Sequence, residues 1–182
     1  EYYSRSVFLY PGSPAGIQSS SPIVIPSPYE DPSEGNFGTN LSAAGDVDGD
    51  GRGDFIVGDD EKNPGYSCDC GSAWLYLGGE GLSGEPALEI PNPYAAPGIE
   101  GFFGSSLTGI GDADMDGLAD IVIGARGSSD AFVFRGSSAD MIDLPAFMVF
   151  HVEGGSFGHV VASPGDLNGD GYPDVAVGAP EY

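Results

Sequence analysis

One pattern occurs three times in this chain: a Phe-Gly pair, a short apolar run, a nine-residue acidic loop, then an apolar run ending in Gly. The copies read NFGTNLSAAGDVDGDGRGDFIVGDD, FFGSSLTGIGDADMDGLADIVIGAR and SFGHVVASPGDLNGDGYPDVAVGAP. The first aspartates of the loops, Asp46, Asp112 and Asp166, are 66 and 54 residues apart, so three units fill 182 residues at a spacing of about sixty. Units of that size read as blades or a β-array, in which each sheet needs a neighbour to bury its faces.

Four β runs can be read within a unit. The first follows Phe-Gly (41–44, 107–110, 160–163), and the second follows the loop as FIVG, IVIG or VAVG. The second is continuously apolar, as expected of a strand covered on both faces. The third is 72–79 and its counterpart 130–136; the fourth is 87–91 and 147–152. Gly, 31 of the 182 residues, and Pro, 15 of them, interrupt nearly every window long enough for a helix. The fold class is therefore all-β: propeller-type blades of four antiparallel strands, about three blade equivalents, with the acidic loops between the first and second strands (A and B). The unit boundaries are expected at 1–35 (a half-blade of strands C and D), 36–97 and 98–154 (two blades), and 155–182 (a half-blade of strands A and B).

This order places both ends of the array in mid-blade. Residues 7–12 (VFLYPG) match the third run and 22–26 (PIVIP) the fourth, whereas the last copy stops after its second. Exposed strand edges invite association. Three arrangements would cover them, in order of preference: a longer polypeptide, copies joined head to tail, and pairing of the two ends within one chain.

The loops carry oxygen-bearing side chains at positions 1, 3, 5 and 9 and Gly at 6. That is the arrangement a hard cation needs, since Ca²⁺ takes six to eight oxygens at flexible geometry. The expected ligands are Asp46, Asp48, Asp50, the Arg52 carbonyl and Asp54 in the first loop. In the second they are Asp112, Asp114, Asp116, the Leu118 carbonyl and Asp120. In the third they are Asp166, Asn168, Asp170, the Tyr172 carbonyl and Asp174. About three Ca²⁺ ions are expected. Gly51, Gly117 and Gly171 mark the sharp turn, where positive φ is expected. The loops are not EF-hands: position 12 is Val57, Ile123 or Val177 instead of Glu, and the flanks are strands. Metal-free Asp-Gly turns are the alternative, but so many carboxylates in one turn repel without a cation.

With 28 acidic and 5 basic residues the formal charge is −23. Three bound Ca²⁺ ions would still leave about −17. Without a basic patch, nucleic acid is excluded as a partner. No apolar run reaches the roughly 20 residues of a membrane span, so no membrane insertion is expected. No basic-then-apolar leader precedes Glu1. The two cysteines, Cys68 and Cys70, are compatible with a tight disulfide or with free thiols, and lack the further ligands of a metal site.

Phe37-Gly38, Phe103-Gly104, Phe157-Gly158, the three loops, Gly124-Ala125 and Gly178-Ala179-Pro180 together resemble the FG-GAP repeat family, the calcium-binding blades of integrin α-subunit β-propellers. The first copy departs from that pattern at Gly58-Asp59-Asp60 and the second at Arg126, both outside the ligand set. The resemblance implies a propeller-type fold, Ca²⁺ in the A–B loops, and an extracellular (secreted or cell-surface) role in adhesion or assembly. It does not imply a ligand.

Other motifs are absorbed by this reading. Arg52-Gly53-Asp54 spells an adhesion tripeptide, but Asp54 is expected to face the metal. Asn40-Leu41-Ser42 fits the glycosylation pattern, yet lies on a strand. His151 and His159, the candidates for general-base chemistry, read as ordinary strand residues. Trp74, Tyr76 and the tyrosines near the chain ends suit either sugar stacking or strand packing. The expected function is a non-catalytic calcium-stabilised module with a protein partner. The alternatives are a structural subunit binding further copies of itself in a ring or filament, and a carbohydrate-binding or polysaccharide-degrading accessory domain with an extracellular glycan as partner.

Overall fold

A computed structural model describes residues 5–30, 35–63, 68–79, 82, 84–138 and 148–182. Two four-stranded antiparallel meanders form its centre. The first contains β5 (Asn40–Gly45), β6 (Asp54–Asp59), β7 (Ser72–Tyr76) and β8 (Leu88–Pro91), in that order. The second contains β9 (Phe103–Gly111), β10 (Asp120–Ala125), β11 (Asp130–Phe134) and β12 (Met148–His151). A pair formed by β1 (Ser6–Leu9) and β4 (Ile23–Pro26) precedes them, and one formed by β13 (Val160–Gly165) and β14 (Asp174–Gly178) follows. No helix occurs among the described residues. These are propeller-type blades, as the four-run units predict.

The apolar second runs become the middle strands. Every residue of β7, β10 and β11 is buried, and in β6 only Phe55 is partly exposed. Period-two alternation divides their side chains between two interfaces. Ile56 and Leu75 face the second blade, where they join Phe103, Ile121, Ile123 and Phe132. Val57, Trp74 and Tyr76 face the first half-sheet, against Val7 and Ile25. Val122 and Val133 face the last pair, against Val161, Val175 and Val177. Each fully buried side chain of this size stabilises the fold by roughly 1.5–3 kcal/mol.

The Phe-Gly pair sets the spacing between blades. A Cβ added to Gly58, at the end of β6, would lie 2.3 Å from the Gly104 carbonyl oxygen. One added to Gly124 would lie 2.1 Å from the Gly158 carbonyl oxygen. The glycine closing one unit's second strand therefore receives the backbone of the next unit's Phe-Gly. Any side chain there would wedge the sheets apart.

One feature is absent from the sequence reading, and one settles an alternative that it left open. A small hairpin, β2 (Gly12–Ser13) and β3 (Gly16–Ile17), follows β1. Cys68 and Cys70 form a disulfide. The Cys70 carbonyl accepts the Phe103 amide at 3.1 Å and the Asn92 side-chain amide at 2.8 Å, which anchors this loop to the start of the second blade. Phe147, expected to begin the fourth strand of the second blade, lies outside the described residues, as do Tyr2 and Tyr3.

Candidate metal centre

Each acidic loop fills the corner between the first and second strands of its sheet. The same four hydrogen bonds shape all three. The amide at position 6 donates to the position 1 carboxylate: Gly51 to Asp46, Gly117 to Asp112 and Gly171 to Asp166, at 2.8–2.9 Å. The position 5 amide donates to the position 3 side chain, Asp48, Asp114 or Asn168. The position 7 amide donates to the position 5 side chain, Asp50, Asp116 or Asp170. The position 2 amide donates to the ninth residue: Val47 to Asp54, Ala113 to Asp120 and Leu167 to Asp174. Short Asx turns of this kind compete well against regular strand and keep the loop compact.

The turn glycines have the left-handed backbone that the motif predicts, with φ of 85° at Gly51, 94° at Gly117 and 95° at Gly171. Position 4 is left-handed as well. Gly occupies it in the first and third loops, but Met115 occupies it in the second, at φ 64°.

This scaffold gathers one oxygen from each of Asp46, Asp48 and Asp50 within 4.8 Å of one another, and likewise from Asp112, Asp114 and Asp116. Three carboxylates at that separation repel unless a cation lies between them. The Asp46 Oδ1 atom tests the fit: it is buried and has no hydrogen-bond partner. A buried, unpaired carboxylate oxygen is costly, and a hard divalent cation is the group that oxygen-rich loops accommodate. The residues present fit Ca²⁺.

The ninth residues, Asp54 and Asp120, are only 3% and 0% exposed. Each accepts a second backbone amide from the end of the third strand, Gly78 to Asp54 Oδ1 at 2.8 Å and Gly136 to Asp120 Oδ1 at 2.9 Å. Burial holds both carboxyls above the usual carboxylate range, partly offset by those amides. A carboxylate oxygen retains a second lone pair after accepting one amide, so this bonding leaves room for metal ligation. The Gly78 and Gly136 donors were invisible in the loop spacing. Neighbouring loops also touch, because the Asp46 carbonyl accepts the Ala119 amide at 2.9 Å.

Among the remaining motifs, Arg52 turns back onto Asp50 at 2.8 Å, and Asp54 points into the sheet, so the tripeptide presents no free carboxylate. The Asn40 side-chain amide donates to the Ser105 carbonyl at 2.7 Å, between blades. Trp74 and Tyr76 are core residues, which leaves neither face open for a sugar. His151 pairs through Nδ1 with buried Asp130 at 2.8 Å.

Comparison with known proteins agrees with this architecture. The family model for the FG-GAP repeat matches residues 157–182. Integrin alpha-5 of Xenopus laevis is 33% identical over 159 residues, covering 79% of this chain and 14% of its own length. Human integrin alpha-IIb is 31% identical over 156 residues, with the same coverages. Mouse integrin alpha-M is 36% identical over 95 residues, covering 51% of this chain and 8% of its own. The chain thus spans about one-seventh of the length of the first of these relatives. It is a protein of propeller-type β-blades with acidic A–B loops. It belongs to the FG-GAP repeat family, with integrin α subunits among its relatives.

Proposed function

We propose that this chain is an extracellular, calcium-rigidified propeller module for protein interaction or adhesion, without catalysis. The observation that carries the calcium reading is the buried, unpartnered Oδ1 of Asp46 beside the converging oxygens of Asp48 and Asp50. About three Ca²⁺ ions would be held by the side chains at positions 1, 3, 5 and 9 and the carbonyl at 7, one per loop. The repeated hydrogen-bond pattern in the third loop supports its inclusion, with Asn168 in place of one carboxylate. At ten times Kd, each ion adds about 1.4 kcal/mol of stability, and three add about 4. That is a large share of an ordinary domain's margin.

The relatives' names support an integrin-like setting, and hence a protein partner at the surface of a cell or in secretion. Residues 36–97 and 98–154 would be the complete blades, and 1–35 and 155–182 the half-blades. The role of the metal in this reading is rigidity: it locks the corner from which the two inner strands of each blade diverge.

Amide hydrogen exchange tests this. In millimolar Ca²⁺, amides 47–53, 113–119 and 167–173 should exchange more slowly than in chelator, and Asp46→Ala should remove the protection from the first loop. Equal exchange rates with and without calcium would refute the reading.

A further inference from the structure

The first and second acidic loops are joined backbone to backbone. The Ala119 amide, at position 8 of the second loop, donates to the carbonyl oxygen of Asp46, position 1 of the first, at 2.9 Å. The glycine before Asp46 leaves room for this approach, since a Cβ added to Gly45 would lie 2.5 Å from that of Ala119. One added to Gly49, at position 4, would lie 2.7 Å from Leu118 Cδ2, so the Leu118 side chain lies over the first loop. A second bridge runs alongside. The adjacent amides of Gly136 and Ser137 divide between the loops, Gly136 donating to Asp120 and Ser137 to the Val47 carbonyl, both at 2.9 Å. The Val47 amide in turn donates to Asp54.

These contacts end on candidate ligands. The peptide group between Leu118 and Ala119 serves both loops. Its carbonyl is the position 7 ligand of the second, and its N–H holds the residue whose carboxylate opens the first. The third loop has Pro173 at position 8. Proline has no N–H, so the third loop cannot make the same bond to Asp112.

We propose that the first and second loops load calcium cooperatively through the Leu118–Ala119 peptide, and that the third loop loads independently of them. Ala119 is here a positioning residue, acting on the first loop through Asp46. The proposal rests on the calcium reading above.

Two physical effects have this sign. A cation at the Leu118 carbonyl draws charge from the peptide, which makes the Ala119 N–H a stronger donor. An ion in the second loop also fixes Ala119, and with it the Asp46 backbone. The first loop then gives up less freedom when its own ion arrives. One effect opposes them: loading either loop weakens the negative field that attracts the next cation. Salt screens that field, with a Debye length of about 10 Å at 0.1 M and about 3 Å at 1 M. A direct bond of 2.9 Å between the loops is not screened in this way. The coupling is therefore positive once salt is high. By linkage it is reciprocal, each loop shifting the other's affinity by the same factor.

Calcium titration followed by amide NMR, in about 0.5 M salt, tests this. The Gly51, Gly117 and Gly171 amides each donate to a position 1 carboxylate and so report their own loops. Asp112→Ala, which disables the second loop, should raise the calcium midpoint at Gly51 roughly three- to tenfold and leave that at Gly171 in place. Asp46→Ala should raise the midpoint at Gly117 by the same factor. Ala119→Pro removes the shared N–H and copies the third loop, where Pro173 sits within the same hydrogen-bond pattern; the Ser137 bridge remains. In that background the effect of Asp112→Ala on Gly51 should fall by at least about half. An unmoved Gly51 midpoint in Asp112→Ala, a Gly171 midpoint that moves with it, or a shift that Ala119→Pro leaves intact overturns the proposal. Calcium-induced shifts absent from all three loops would instead refute the calcium reading, and the coupling with it.

Discussion

The Gly78 amide donates to Asp54 Oδ1 at 2.8 Å, which ties the end of the third strand to the ninth position of the first acidic loop; Gly136 and Asp120 repeat the bond at 2.9 Å in the second. The other oxygen of each aspartate accepts the amide at loop position 2. These two carboxylates join three strands of a blade, besides being candidate ligands.

Asp54→Ala should therefore destabilise the chain even in chelator. It leaves the Val47 and Gly78 amides without acceptors, at about 1–3 kcal/mol for each buried donor. Asp48→Ala removes only loop-surface bonding and should fall within about 0.5 kcal/mol of wild type in chelator. It should instead lose part of the stabilisation that calcium adds. Urea unfolding of both variants with and without calcium separates the two roles.

Gly124→Ala should cost about 3 kcal/mol, because its Cβ would lie 2.1 Å from the Gly158 carbonyl oxygen and the sheets must part to admit it. Gly178→Ala, at the equivalent place in the last repeat, should be close to neutral, because its Cβ would meet only Val160 atoms at 3.6 Å and beyond among the described residues. Thermal unfolding at low protein concentration reads both.

Met115 occupies a left-handed position that is Gly in the other two loops. Met115→Gly should stabilise the chain by roughly 0.5–1 kcal/mol, the relief of left-handed strain less the entropy cost of glycine. A destabilised variant in chelator would show that the side chain contributes packing that outweighs the strain.

Alkaline pH should bring out two tyrosines, Tyr29 and Tyr76. Burial raises the Tyr29 phenol, with its hydrogen bond to Asp59 adding to the shift, and burial also raises Tyr76, with the Glu85 charge adding to it. A folded value above the unfolded value of about 10 means that each contributes stability below pH 10. That stability is lost as pH rises above 10 toward the folded value. Followed by absorbance at 295 nm, Tyr29 and Tyr76 should ionise only on unfolding, with Tyr29→Phe removing one of these two late protons.

The loops were legible because local spacing fixes them: positions 1, 3, 5 and 6 bond to one another within one turn of chain. The middle strands were legible for another reason. FIVG and IVIG are apolar at every residue before the glycine, and burial on both faces is what such a run demands. The β2–β3 hairpin has two-residue strands and no alternation to announce it. The two cysteines allowed either redox state, and folding decided for the disulfide. Asp54 was recognisable as the ninth loop position, but Gly78, 24 residues away, was not recognisable as its donor. The Gly58 and Gly104 contact likewise depends on how two blades stack, and their spacing of 46 residues carries no local signal.

Calcium titration of the metal-free chain by isothermal calorimetry is the most direct measurement. Three ions per chain are predicted, falling to two in Asp46→Ala, with a matching rise in the unfolding temperature as wild type is loaded. No binding heat and no thermal shift up to millimolar calcium would contradict it.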